Sequence, residues 1–68
     1  MLCPRCAQGD ICKARIKSSE KILYVCQECE ATWFSPETIG VEAFVDYGTY
    51  MEELGLPPLW SSLVVLPD

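Results

Sequence analysis

The 68-residue chain contains no histidine. Its absence removes the commonest general acid or base, the usual activator of a serine or cysteine nucleophile, and one of the two main zinc ligand types. No Ser/His/Asp set can be assembled, and the four glycines form no phosphate-cradling loop. Glu52 and Glu53 are adjacent and would diverge on a helix, so they make a solvated face and not a catalytic pair. The chain is therefore read as a non-enzyme. Long apolar runs are missing too: the run that contains Val64-Val65-Leu66 is far short of the roughly 20 residues that span a bilayer. No apolar leader segment follows Met1, so a cytoplasmic chain with no membrane association is expected.

Positive charge is the third scarcity. Residues 1–21 hold Arg5, Lys13, Arg15, Lys17 and Lys21 against Asp10 and Glu20, a balance of +3, whereas residues 22–68 hold no Lys or Arg. That second part carries Glu28, Glu30, Glu37, Glu42, Asp46, Glu52, Glu53 and Asp68, a balance of −8, and the whole chain stands at −5. Such a molecule is electrically bipolar, and its overall sign opposes general binding to nucleic acid.

Against these absences stand five cysteines, four of them in two C-x-x-C pairs. Cys3-Pro4-Arg5-Cys6 and Cys26-Gln27-Glu28-Cys29 are separated by 19 residues, enough for a β-hairpin that brings the second pair back to the first. Four thiolates suit one tetrahedral Zn2+, with disulfides or a rubredoxin-type iron site as the alternatives. Glu30, an anion beside an already anionic cluster, and the lack of an aromatic core in the intervening loop count against electron transfer. With zinc, four thiolates and one dication would bring the net charge to about −7. Cys12 is left over, and burial as a small apolar residue is the usual fate of such a thiol. A chain this short rarely holds its fold by core burial alone, so the metal belongs to the folding problem.

Local patterns place the remaining elements. Lys13-Ala14-Arg15-Ile16-Lys17 alternates with period two, which sets three cations on one strand face and Ala14 and Ile16 on the other. Residues 18–21 turn the chain into a partner strand, Ile22–Val25, and Ala31–Phe34 has the composition of a third strand. Ser35-Pro36-Glu37 signals one or two helical turns. Thr49 and Glu52 have capping-box spacing for a second short helix over 50–54, closed by Gly55 and by Pro57-Pro58. Residues 61–66 read as a C-terminal strand, paired within the chain or with another one.

The four cysteines and the hairpin between them resemble the zinc-ribbon group over residues 1–34. The resemblance implies a small α+β fold: two knuckles on a three-stranded antiparallel sheet, then short helices and a C-terminal strand. One domain is expected over 1–68, with the ribbon at 1–34 and an acidic, aromatic extension at 35–68. A four-cysteine site is closed, so function must come from the surface. Glu42, Asp46, Tyr50, Glu52, Glu53 and Trp60 are the candidate partner-binding residues, with carboxylates steering a basic protein and the rings as anchors. In size and charge the chain is similar to bacterial immunity proteins that neutralise basic nuclease toxins. The rival reading is a nucleic-acid-binding regulator of transcription or translation, working through Lys13, Arg15, Lys17 and Lys21 with Tyr24 and Trp33 nearby.

Overall fold

The period-two alternation does produce a strand. In a computed structural model describing residues 1–67, β1 (Ile11–Ile16) buries Cys12, Ala14 and Ile16 and leaves Lys13 and Arg15 half-exposed. Asp68, counted in the acidic balance above, lies outside the described residues. β2 (Ile22–Cys26) returns antiparallel, with Ala14 opposite Leu23 and Ile11 opposite Cys26. β3 (Ala31–Trp33) then pairs with β2, Tyr24 lying opposite Trp33.

The three-stranded sheet expected from the hairpin pattern is enlarged to five. β4 (Val45–Asp46) pairs with β3, and β5 (Leu63–Leu66) pairs with β1, giving the antiparallel order β4-β3-β2-β1-β5. Two residues are too few to show an alternation, which is why β4 leaves no trace in the sequence. The C-terminal strand pairs within the chain, Ala14 opposite Val65, and begins later than residue 61 because Trp60–Ser62 forms a 3₁₀ turn.

Both sheet faces are covered, by different means. On one, Cys12, Ala14, Ile16, Leu23, Val25 and Leu63 pack with Tyr47 and Met51 of the helix α1 (Tyr47–Glu53). On the other, Trp33 is fully buried under residues 34–44, with Ile39 and Phe44 packed on its cluster. The Trp33 indole N–H donates to the Gly40 carbonyl at 3.0 Å, which fastens that segment down. Each such bond contributes about 1 kcal/mol net, and leaving the buried indole unpaired would cost more.

Short helices were expected, and the described residues hold one α-helix and two 3₁₀ turns. Ser35 precedes the first turn, Pro36–Thr38, but its side chain caps no backbone amide. The start of α1 differs from the capping-box expectation. Asp46 is the N-cap: its carboxylate accepts from the Thr49 backbone N–H at 3.0 Å and from the Thr49 hydroxyl at 3.2 Å. Capping from Asp46 lets Tyr47 enter the helix and the core, a burial that Thr49 as cap would forgo. The C-terminus matches the expectation, with Gly55 at φ +73°. The Gly55 and Leu56 amides close back on the Glu52 and Met51 carbonyls, neither of which has a helical i+4 partner.

Candidate metal centre

Each C-x-x-C pair builds the same turn. The Ala7 N–H donates to the Cys3 carbonyl at 2.9 Å and the Glu30 N–H to the Cys26 carbonyl at 3.2 Å. The residue after each second cysteine is left-handed, Ala7 at φ 55° and Glu30 at φ 62°, which turns the chain away from the knuckle. The two turns are held together by the Gln27 N–H donating to the Asp10 carbonyl at 3.1 Å. They touch at buried Gly9, where a Cβ would stand 2.6 Å from Glu28 Cγ and 2.9 Å from the Glu28 backbone nitrogen. Glycine here is a requirement of close approach.

This packing gathers the four predicted ligands. All four sulfurs lie within 4.8 Å of one another, Cys3 Sγ to Cys29 Sγ at 3.8 Å and Cys6 Sγ to Cys26 Sγ at 3.6 Å. A tetrahedral ion with metal–sulfur bonds of about 2.3 Å has sulfur–sulfur edges of about 3.8 Å, so the cluster has the dimensions of a zinc site. Cys3 and Cys26 are buried and Cys6 and Cys29 half-buried, while Cys12 sits in the helix-side core, outside the cluster.

The surroundings are built to hold negative charge. Backbone N–H groups of Glu28 and Cys29 donate to Cys26 Sγ, both at 3.4 Å. Amides of Gly9 and Gln8, outweighing burial, pull the Cys6 thiol down from 9.0 to about 6. Burial pushes the Cys26 thiol up to about 12 despite its two amides. At Cys29 burial opposes ionisation, but the Ala31 amide, the Arg5 guanidinium and the neighbouring thiols bring the net shift downward. Taken as thiols, Cys6, Cys26 and Cys29 do not ionise together. A dication supplies what the amides and Arg5 cannot, enough positive charge to bind four thiolates at once. Arg5 also lies over the Phe44 ring at 4.5 Å, joining the first knuckle to the segment that covers Trp33.

Glu30 was read from sequence only as an awkward anion, and its position gives it a use. Its carbonyl accepts from the Tyr47 N–H at 3.1 Å, and its carboxylate accepts from the Trp60 indole N–H at 3.1 Å. Tyr47, packed against Trp60 at 6.0 Å between ring centroids, donates its hydroxyl to the Leu59 carbonyl at 2.8 Å. Burial, with the Glu30 charge adding to it, raises the Tyr47 pKa, which keeps that donor protonated. The second knuckle is thereby tied to the C-terminal third of the chain. No short-range signal in the sequence pairs Glu30 with Trp60, 30 residues away.

The six candidate partner-binding residues are distributed unevenly. Tyr50, Glu52 and Glu53 lie on α1, with both glutamates exposed and Tyr50 half-buried. Tyr50 packs tilted against Phe34 at 5.0 Å between ring centroids, a neighbour that the sequence reading did not pair with it. The Asp46 carboxylate is engaged as the helix cap, and the Trp60 indole N–H is held by Glu30. Glu42 is exposed on the segment that covers Trp33. No helix of the described residues is long and apolar enough to cross a membrane. Comparison with protein-family models, with curated proteins and with solved structures finds no match to this chain.

Proposed function

We propose that this metal-binding chain is a non-enzymatic interaction module held by structural zinc, and that it inhibits a basic protein partner in the manner of an immunity protein against a nuclease toxin. Zinc, when bound, cross-links the two knuckles through Cys3, Cys6, Cys26 and Cys29. A site closed by four thiolates leaves no coordination position for substrate, which favours a scaffold over a reaction centre. The chain's own surface then does the binding.

One observation carries the reading: α1 presents Glu52 and Glu53 beside the half-buried Tyr50 and the exposed Phe34 ring, on a stretch of sequence without Lys or Arg from residue 22 onward, with Lys21 over Phe34 at 5.4 Å the one cation at its margin. Glu53 and Leu54 lie three and four positions after Tyr50, so they share its side of the helix. Phe34 at 41 % exposed and Leu54 at 46 % exposed flank Tyr50 with apolar surface. Rings of this kind anchor an interface while surrounding acids steer a basic partner onto it, and the Lys and Arg groups with which a nuclease grips phosphate are suitable targets.

The rival, a nucleic-acid-binding regulator, draws support from the opposite sheet face. There Lys13 lies across from Tyr24 and Arg15 across from Ile22, all half-exposed. The experiment that separates the two is affinity capture from a cytoplasmic lysate of the source, with the zinc-loaded protein and two variants. A Glu52→Lys/Glu53→Lys variant should lose a basic protein partner, or bind it at least tenfold more slowly, while Lys13→Ala/Arg15→Ala/Lys17→Ala retains it. Capture of nucleic acid that only the Ala variant loses would replace the inhibitor reading by the regulator.

A further inference from the structure

The two C-x-x-C pairs enclose Pro4 and Arg5 in the first knuckle and Gln27 and Glu28 in the second, and Arg5 is the one cation among them. Four thiolates around a dication leave the centre with a net charge of about −2. The second knuckle adds acids to it. Glu28 lies against Gly9, and Glu30 follows Cys29, although its carboxylate is taken up by the Trp60 indole. Arg5 therefore stands as the side-chain cation of a strongly anionic site.

Arg5 has two partners on different parts of the chain. Its guanidinium is a side-chain hydrogen-bond partner of the Cys29 sulfur, in the opposite knuckle. It also lies over the Phe44 ring, 4.5 Å from the guanidinium carbon to the ring centroid. A planar guanidinium suits this double contact, because its face stacks on a ring while its N–H groups donate from the edge. Cys29 is one of the two half-buried ligands, so the contact falls on the side of the cluster that water reaches. Phe44 packs on the Trp33 cluster as part of the segment 34–44, and it directly precedes β4.

We propose that Arg5 is a positioning residue that couples the metal centre to the cover over Trp33. The negative charge of the thiolates holds the guanidinium at Cys29, and the guanidinium held there seats Phe44 and, through it, the chain that leads into β4. The coupling is reciprocal: a contact that favours the seated cover favours the bound metal by the same factor. This role rests on the zinc reading above and adds to it a residue outside the four ligands.

The test is a double-mutant cycle on zinc affinity, measured by chelator competition for Zn2+ with the wild-type chain, Arg5→Ala, Phe44→Leu and the double variant. Arg5 is exposed and Phe44→Leu keeps an apolar side chain, so all four chains should bind one zinc. Arg5→Ala should weaken the affinity about tenfold. The loss caused by Phe44→Leu should be smaller by roughly threefold in the Arg5→Ala background than in the wild type. Indole N–H exchange, followed by NMR, separates this coupling from general loosening. In zinc-loaded Arg5→Ala the Trp33 indole N–H, bonded to Gly40 beneath the cover, should exchange faster, while that of Trp60, held by Glu30, keeps its rate. Substitutions whose effects on affinity simply multiply, or two indole protons that speed up equally or not at all, would overturn the coupling and leave the zinc reading intact. A wild-type chain that takes up no zinc would overturn both.

Discussion

Single atoms decide the metal centre. Gly9 is the position where the two knuckles meet, and Gly9→Ala would drive a methyl group into the Glu28 backbone. Overpacking of this kind costs about 1–3 kcal/mol. The expected outcome is a zinc affinity at least tenfold lower in chelator competition; an unchanged affinity would show that the knuckles can part freely. Protonation acts on the same sulfurs. The lowered Cys6 thiol, near 6, contributes stability that is present above its ordinary value of 9.0 and lost as pH falls through 6. The raised Cys26 thiol works the other way, favouring the fold while protonated and opposing it as pH rises toward 12. Holding the ion requires all four cysteines as thiolates, so binding releases protons at neutral pH. Apparent zinc affinity should rise with pH between 6 and 8, with net proton release on binding measurable by calorimetry in buffers of different ionisation enthalpy.

At the scale of elements, the α1 terminus shows how two similar signals are resolved. Thr49 and Glu52 have the spacing of a capping box, but Asp46 makes the cap. Asp46→Ala should cost about 1 kcal/mol in denaturant unfolding of the zinc-loaded protein, and Thr49→Ala clearly less. Equal losses, or the reverse order, would contradict the assigned cap. The two glutamates on α1 then remain unencumbered by capping, available for the steering role proposed for them.

For the whole molecule, the issue is how 68 residues keep a five-stranded sheet. The knuckles feed β1 through Ile11, β2 through Cys26 and β3 through Ala31, so the metal ligands stand at the ends of the three central strands. Cys3 and Cys26 themselves share a core cluster with Trp33. Glu30 extends the tie to Tyr47 and Trp60. Structural zinc in small domains supplies apparent energies of about 10–16 kcal/mol, several times what a core of this size provides. Chelation should therefore abolish the fold as one cooperative unit, with Trp33 and Trp60 fluorescence and the β-sheet circular dichroism lost together. A metal-free chain that retains the sheet would show that the core suffices alone.

What the sequence determined by itself is local in origin. The clustering of Cys3, Cys6, Cys26 and Cys29 as candidate ligands was legible because a three-residue spacing on a tight turn directs both thiols of a pair the same way. The two faces of β1 followed from period two, and the end of α1 from Gly55, whose left-handed backbone disfavours most other residues. Tertiary structure decided the rest: the pairing of β4 with β3, the choice of Asp46 over Thr49, the meeting of Phe34 with Tyr50, and the bond from Trp60 to Glu30, 30 residues away. The Asp46 cap spans only three residues and was decided by the burial of Tyr47; the other three have no short-range pattern, because each is stabilised by burial or hydrogen bonding between segments that the fold brings together.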